Sequence, residues 1–495
     1  MQTRARNTAL AAVVAVVFFF FLAILALNTS FWCDEFGWVG ATYGSIQEAI
    51  QVVAKDVSPH IFLDGFFMAI FSKAALNLGI NPHLAIRLHT VVLAVLFAML
   101  PWFIKTLSHR ERWIWTGWAI LNCALVRMAV NSRPYASILF FSAVALFAAI
   151  EFSRSKGVFS RIALVLSILL TLGPLTHVYV MMPITLYAVL VLASRTDLKS
   201  KLKFLAPLLP GVLVCFWWFV FFKPHSYLAV SWNELFSRLM ATPWLDYARQ
   251  ILGGFSNPGK RSLIVAPLVG YGIFIQWKKD KRLCLFLMAA LFSGIAVPLY
   301  LDRKYNYFFV PRQTFTALPF WGWFVVVALD QICFSKIRRP AVSTAVLAML
   351  TLVVGLIPLY RLIENIPPFV DQPRLKLREA VAQLKPDQKL IVLSSCNRST
   401  AGLYVYPDYM KEMFERYRKG QPPEERPTEE RVPFWDSSSL TCFGNIPENS
   451  PDAELMKEVQ SHPERFLVLA PFDVRVPSRL RHVECVSEIN GPCVR

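Results

Sequence analysis

Twelve apolar segments, at 8–27, 59–79, 84–104, 113–130, 134–152, 161–175, 178–194, 204–222, 263–277, 283–301, 313–333 and 342–360, dominate a chain of 495 residues. Most approach the roughly 20 residues a helix needs to cross a hydrocarbon core. Inside a bilayer the backbone must satisfy its own hydrogen bonds, which confines such segments to helices. The expected fold is a polytopic α-helical membrane protein. Only 17% of residues are charged, against about a quarter in soluble domains. That excludes a cytosolic enzyme, a disordered chain and a secreted disulfide scaffold, and an outer-membrane barrel would need strands alternating over about ten residues.

The formal net charge is +18. Residues 1–360 carry 32 Lys and Arg against 13 Asp and Glu, whereas residues 361–495 carry 19 against 20. The excess therefore reports orientation, since cytoplasmic loops gather Lys and Arg, and gives no reason to expect nucleic acid as a partner. Arg4 and Arg6 place the N-terminus inside, and 8–27 reads as an anchor rather than a cleaved signal. Loops holding Lys105, Arg110 and Arg112, then Arg154, Lys156 and Arg161, then Arg195, Lys199 and Lys203, then Lys278 and Arg282, then Lys336 and Arg339 mark the same side. Alternation fails if all twelve segments cross. Segment 59–79 contains Asp64 and Lys73 and precedes Asn81-Pro82, so it is expected to lie along the outer face or dip into it. About eleven crossings follow, with 28–58 and 361–495 outside. The rival topology treats 161–194 as one helix, which puts Pro174 and His177 in its middle.

Residues 361–495 are long enough for a small extracytoplasmic α/β domain. Lys389–Ser395 and Arg465–Ala470 read as strands, Arg374–Leu384 as a helix, and the Pro/Glu-rich 421–433 as a loop. Cys396, Cys442, Cys485 and Cys493 either pair in one of three connectivities or stay as buried thiols.

The polar residues of the outer face are the candidates for chemistry. Asp34-Glu35 follows the first segment among Phe31, Trp32, Phe36 and Trp38, a setting that favours base-like carboxylates, although Asp34 also suits a helix cap. His60, Arg133-Pro134-Tyr135, Thr176-His177, Lys223, Arg303 and Arg312 follow along the outer side. Cations there run against the topological bias, and an anionic ligand such as a lipid phosphate explains them.

An acidic pair after the first segment, Ser58-Pro59-His60 opening the next, Leu84-Ala85-Ile86-Arg87-Leu88, Arg133-x-Tyr135 before an apolar helix, and the Thr176-His177 turn recur in an order that resembles the GT-C membrane glycosyltransferases. The likeness is greatest to bacterial relatives of the protein O-mannosyltransferases, the lipid A aminoarabinose transferases and the rhizobial galacturonosyltransferases. It covers residues 1 to about 360. Two motifs depart from the family pattern: the imidazole of His60 follows the proline instead of preceding Pro-Pro, and Asn131-Ser132 stands where Glu-Ala or Gln-Ala is usual.

The resemblance implies a bacterial inner-membrane enzyme, its tail periplasmic, that moves a sugar from a polyprenyl-phosphate donor to a lipid, glycan or protein acceptor. A phosphate leaves as a stable anion, so one base suffices where a glycosidase needs two carboxylates. Asp34 is the expected base, and Glu35 would position the acceptor or a divalent metal. Arg133 and Tyr135, with His60, His177, Lys223, Arg303 and Arg312, would hold the phosphate, and attack opposite it inverts the anomeric centre. A transporter or flippase for a lipid-linked or anionic substrate is the alternative, and a membrane-anchored sensor or scaffold acting through its tail is a third class.

Overall fold

A computed structural model describes residues 2–29, 35, 39, 42, 44–45, 47, 62–218, 220, 248, 251–252, 255, 262–305, 311–333, 347–363, 381–385, 387–392, 407–421, 457–470 and 482–487. Most described segments are helical. Among the described residues, four helices are long and apolar enough to cross a membrane, Arg6–Leu27, Tyr135–Arg154, Leu198–Trp217 and Lys281–Tyr300, and shorter apolar helices run over Leu88–Phe103, Arg161–Leu175, Val178–Leu192 and Leu347–Tyr360. Large apolar side chains such as Val17, Phe20, Phe216 and Phe292 are exposed on them. Such an apolar exterior suits a lipid solvent and would be a liability in water.

The helices are α1 (Gln2–Leu27), α2 (Phe62–Asn77), α3 (Leu88–Met99), α4 (His109–Ile120), α5 (Cys123–Ala129), α6 (Tyr135–Arg154), α7 (Arg161–Leu172) and α8 (Met181–Leu192). They continue with α9 (Leu198–Leu205), α10 (Leu209–Trp217), α11 (Ser262–Lys279), α12 (Lys281–Tyr305), α13 (Leu318–Gln331), α14 (Ile357–Ile363) and α15 (Pro407–Arg418). Segment 113–130 splits because the Asn122 side chain accepts from Leu125 N (3.1 Å) and starts a new helix. The rival single helix over 161–194 is interrupted by 3-10 turns at Gly173–Leu175 and Val178–Val180, with His177 extended between them.

α6 is the axis of the fold. Every residue from Tyr135 to Phe152 is buried, as expected of a helix apolar on all sides, and α3, α7, α8 and α13 pack around it. Where other helices meet, glycine sets the distance. A Cβ on Gly272 of α11 would strike the carbonyl of Phe324 on α13, and one on Gly211 of α10 would strike the carbonyl of Thr171 on α7. Close backbone approach over small residues drives helix association in lipid, where burial of apolar surface contributes little. Gly272→Leu should therefore destabilise the protein by about 1–3 kcal/mol, whereas Gly270→Leu, with open space at its Cβ, should be near neutral. Thermal unfolding of both variants in detergent measures the difference.

Segment 59–79 contains α2, which packs beside α3 and against α15 of the tail. Tyr417 on α15 is buried, and its hydroxyl bonds Thr42 Oγ1 (3.1 Å) and Ser72 Oγ (3.0 Å). Lys73 donates to Gly44 O (3.2 Å) and lies over the Tyr417 ring at 5.4 Å. The expectation that the ionisable residues of α2 meet an aqueous boundary is wrong for Asp64, which is buried against α3 and α6.

In the tail, β1 (Lys389–Val392), β2 (Phe466–Ala470) and β3 (Glu484–Ser487) form a parallel sheet in the order β1-β2-β3, with Lys389 opposite Phe466 and Leu467 opposite Glu484. Both strands read from sequence are present. Residues 422–433 of the loop and 374–380 of the Arg374–Leu384 segment lie outside the described residues, and of its last four residues only Val381 is helical. Cys485 on β3 is disulfide-bonded, which decides for that residue the alternative left open above.

Candidate functional site

Residues 26–29 with Glu35, residues 83–90 and residues 129–137, distant in sequence, meet at one end of α6. The meeting point is Arg87, fully buried in the turn before α3. Its Nε and Nη2 donate to the two carboxylate oxygens of Glu35 at 2.8 and 2.7 Å. Its Nη1 donates to the carbonyls of Ala26 (2.8 Å) and Thr29 (2.7 Å). The last carbonyls of a helix have no intrahelical donor and carry its negative dipole. Side chains satisfy two more, with Asn28 Nδ2 donating to Ile24 O and Thr29 Oγ1 to Leu25 O. The guanidinium is thus enclosed by a carboxylate and a helix C-terminus, the setting in which bidentate Arg pairs are strongest.

Glu35 Oε1 also accepts from Ser132 N (2.9 Å), and Thr90 Oγ1 donates to Ala129 O (2.8 Å). Glu35, which follows α1, is thereby tied to the residues just before Arg133. Glu35 is held in place by these three donors, two from Arg87 and one from Ser132 N. Sequence reading noticed Arg87 within a motif and gave it no role. The signal was a cation between Ile86 and Leu88, where nothing but a buried counter-charge would hold it.

Beside this group stands Asp64 of α2. Ser137 Oγ donates to Asp64 Oδ1, and His89 Nε2 is 4.0 Å from Oδ2. Burial pushes the Asp64 carboxyl up to about 6, opposed by the Ser137 hydrogen bond and the charge of Arg133. Asp64 stood among the alternative carboxylates of the outer face, and Ser137 is an addition that motif order did not single out.

The other expected residues are placed as follows. Arg133 is half-buried in a tight turn, its N bonded to Asn131 O (2.8 Å), and Tyr135 opens α6 with its side chain buried. His177 is buried and uses Nδ1 to accept from Tyr179 N (3.2 Å), capping the turn that leads into α8. Arg303 lies on the described backbone of α12 and Arg312 on the 3-10 segment Pro311–Ala317. Their side chains, and Asp34, His60 and Lys223 altogether, lie outside the described residues. Among the described residues no group of three His, Cys, Asp or Glu is arranged to hold a metal ion.

The opposite end of α6 carries a second polar group. Arg154 pairs with Glu111 at 2.6 Å, Thr106 Oγ1 donates to Glu151 Oε2 (2.7 Å), and Ser153 Oγ bonds Asp280. The 20 residues of α6 separate the two groups by about 30 Å. No protein-family model matches this chain, and no curated protein matches it either.

Proposed function

We propose that the chain is a membrane glycosyltransferase that moves a sugar from a polyprenyl phosphate to a lipid, glycan or protein acceptor, with inversion, at the outer face of a bacterial inner membrane. Asp34, one residue before the anchored Glu35, is the general base. Arg133 binds the donor phosphate together with Tyr135, His60, His177, Lys223, Arg303 and Arg312. The observation that carries this reading is the pair of contacts on Glu35, from Arg87 and from Ser132 N. They bring Glu35 and the turn that holds Arg133 to a single place, which supports reading them as parts of one site.

The topology belonging to this reading has eleven crossings: α1, α3, α4 with α5, α6, α7, α8, α9 with α10, α11, α12, α13 and the segment 342–360 that leads into α14. Its support is that the Glu35–Arg87 cluster and the Glu111–Arg154 cluster sit about one hydrocarbon thickness apart along α6, and the second lies by the basic loops at Arg110 and Lys279. A cysteine at the exposed Asn81 should be labelled by a membrane-impermeant reagent added outside. Labelling of Asn81 only from the cytoplasmic side, with Arg133 reached from outside, would overturn the topology.

Charge recognition gives the functional test. Arg133→Met should weaken polyprenyl-phosphate binding roughly 10- to 100-fold, the value of one charge-assisted contact in a poorly hydrated site. Lys260→Met, in the sequence-read outer loop, should change it less than about fivefold. Equal losses at both positions would reduce the effect to diffuse attraction and remove the site. The transporter alternative is favoured by the buried Asp64 and His89, since such groups in membrane bundles relay protons or ions. Movement of a lipid-linked sugar across sealed proteoliposomes, without transfer to an acceptor, would select it.

A further inference from the structure

At the Arg110 end of the bundle, among α1, α4, α11, α13 and the residues before α14, is a cavity of about 620 Å³, within the size range of sites that hold organic ligands. Its walls are apolar, with Trp118, Leu268, Leu350 and Val354, and Asn7, His109 and Arg110 supply polar groups where α1 and α4 begin. Gly117 faces the open space, since a Cβ there would meet nothing within 4 Å. Glycine in a helix interior is a poor choice on propensity alone, and a larger residue would occupy this volume.

We propose that this cavity binds one acyl chain of an anionic phospholipid, with the headgroup phosphate against Arg110 and His109. An apolar void left empty forfeits the dispersion contacts of its lining, and a hydrocarbon chain restores them. Cations beside gaps between membrane helices on the cytoplasmic side attract anionic headgroups. Arg110 and Lys279 lie close enough for both charges to act on Asp330, while Arg154 is paired with Glu111, so Arg110 is the cation that the cavity itself presents. A polyprenyl-phosphate donor is not the occupant, because Arg133 and its neighbours lie at the far end of α6, about 30 Å away. The inference rests on the membrane reading and is independent of glycosyl transfer.

The test uses the full chain in nanodiscs containing phosphatidylglycerol with a photoactivatable acyl chain. Adducts should map to 109–122 and 347–355. Unlabelled phosphatidylglycerol should compete about fivefold better than phosphatidylcholine, the worth of one cation near a membrane surface, and Arg110→Gln should remove that preference. Gly117→Leu should reduce these adducts at least about fivefold, and Leu350→Trp serves as a second filling variant if Gly117→Leu does not fold. Adducts unchanged by filling, equal competition by the two phospholipids, or stronger competition by polyprenyl phosphate would each overturn the proposal.

Discussion

Glu35→Gln is expected to destabilise the protein by about 3–5 kcal/mol, because it leaves the fully buried Arg87 without its counter-charge. The amide keeps the shape of the carboxylate and can accept on one side only, so one guanidinium donor faces an NH2 group. Arg87→Met should cost a similar amount, since Glu35 then keeps Ser132 N as its described donor and the carbonyls of Ala26 and Thr29 lose the guanidinium. The double variant should recover part of the loss, which is the signature of direct coupling. Denaturant unfolding in mixed micelles, followed by helical circular dichroism, measures all three. If both single variants unfold with the parent protein, the pair does not hold the loop.

Asp34→Asn should instead leave folding intact and lower the transfer rate by roughly two to four orders of magnitude, the range for loss of a general base. Donor binding should survive, because the phosphate is assigned to Arg133 and not to the carboxylate. The contrast with Glu35→Gln is informative: one variant should fail in turnover with normal stability, the other in stability first. Purified protein, a polyprenyl-phosphate sugar and a time course of transfer, beside a melting curve, separate them. Near-normal transfer by Asp34→Asn would move the base elsewhere. Asp64 would be the first carboxylate to examine, its proton affinity raised to about 6 by burial and its Oδ1 in contact with Ser137, ahead of Asp56, Glu234, Asp246 and Asp302.

Helix positions were legible from sequence because hydrophobic runs and basic loops are strong, local signals. The strands Lys389–Val392 and Phe466–Ala470 were legible for the same reason, as short apolar runs between polar ones. The break at Asn122 was not, because an N-cap in the middle of an apolar run looks like one tolerated polar residue. The environment of Asp64 was misjudged on a sound rule. Ionisable residues are costly in apolar surroundings, and a solvated helix seemed cheaper than a buried carboxyl bonded to Ser137. That hydroxyl lies 73 residues away in the chain. Arg87 shows the same limit, since its partners at 26, 29 and 35 come from another helix and its following loop, and spacing within a segment carries no trace of them.

The contact of Tyr417 with Thr42 and Ser72 has a consequence for biosynthesis. Thr42 is made 375 residues before Tyr417, so at 5–20 residues per second the loop waits about 20–75 s for its partner. During that interval the tail must also cross the membrane on the topology proposed above. Thr42, Ser72 and Lys73 must therefore stay available on the outer side until translation is nearly complete. Docking of the helix Pro407–Arg418 becomes one of the last events of assembly, and a nascent chain truncated before it would leave the Thr42 and Ser72 hydroxyls without the tyrosine that joins them.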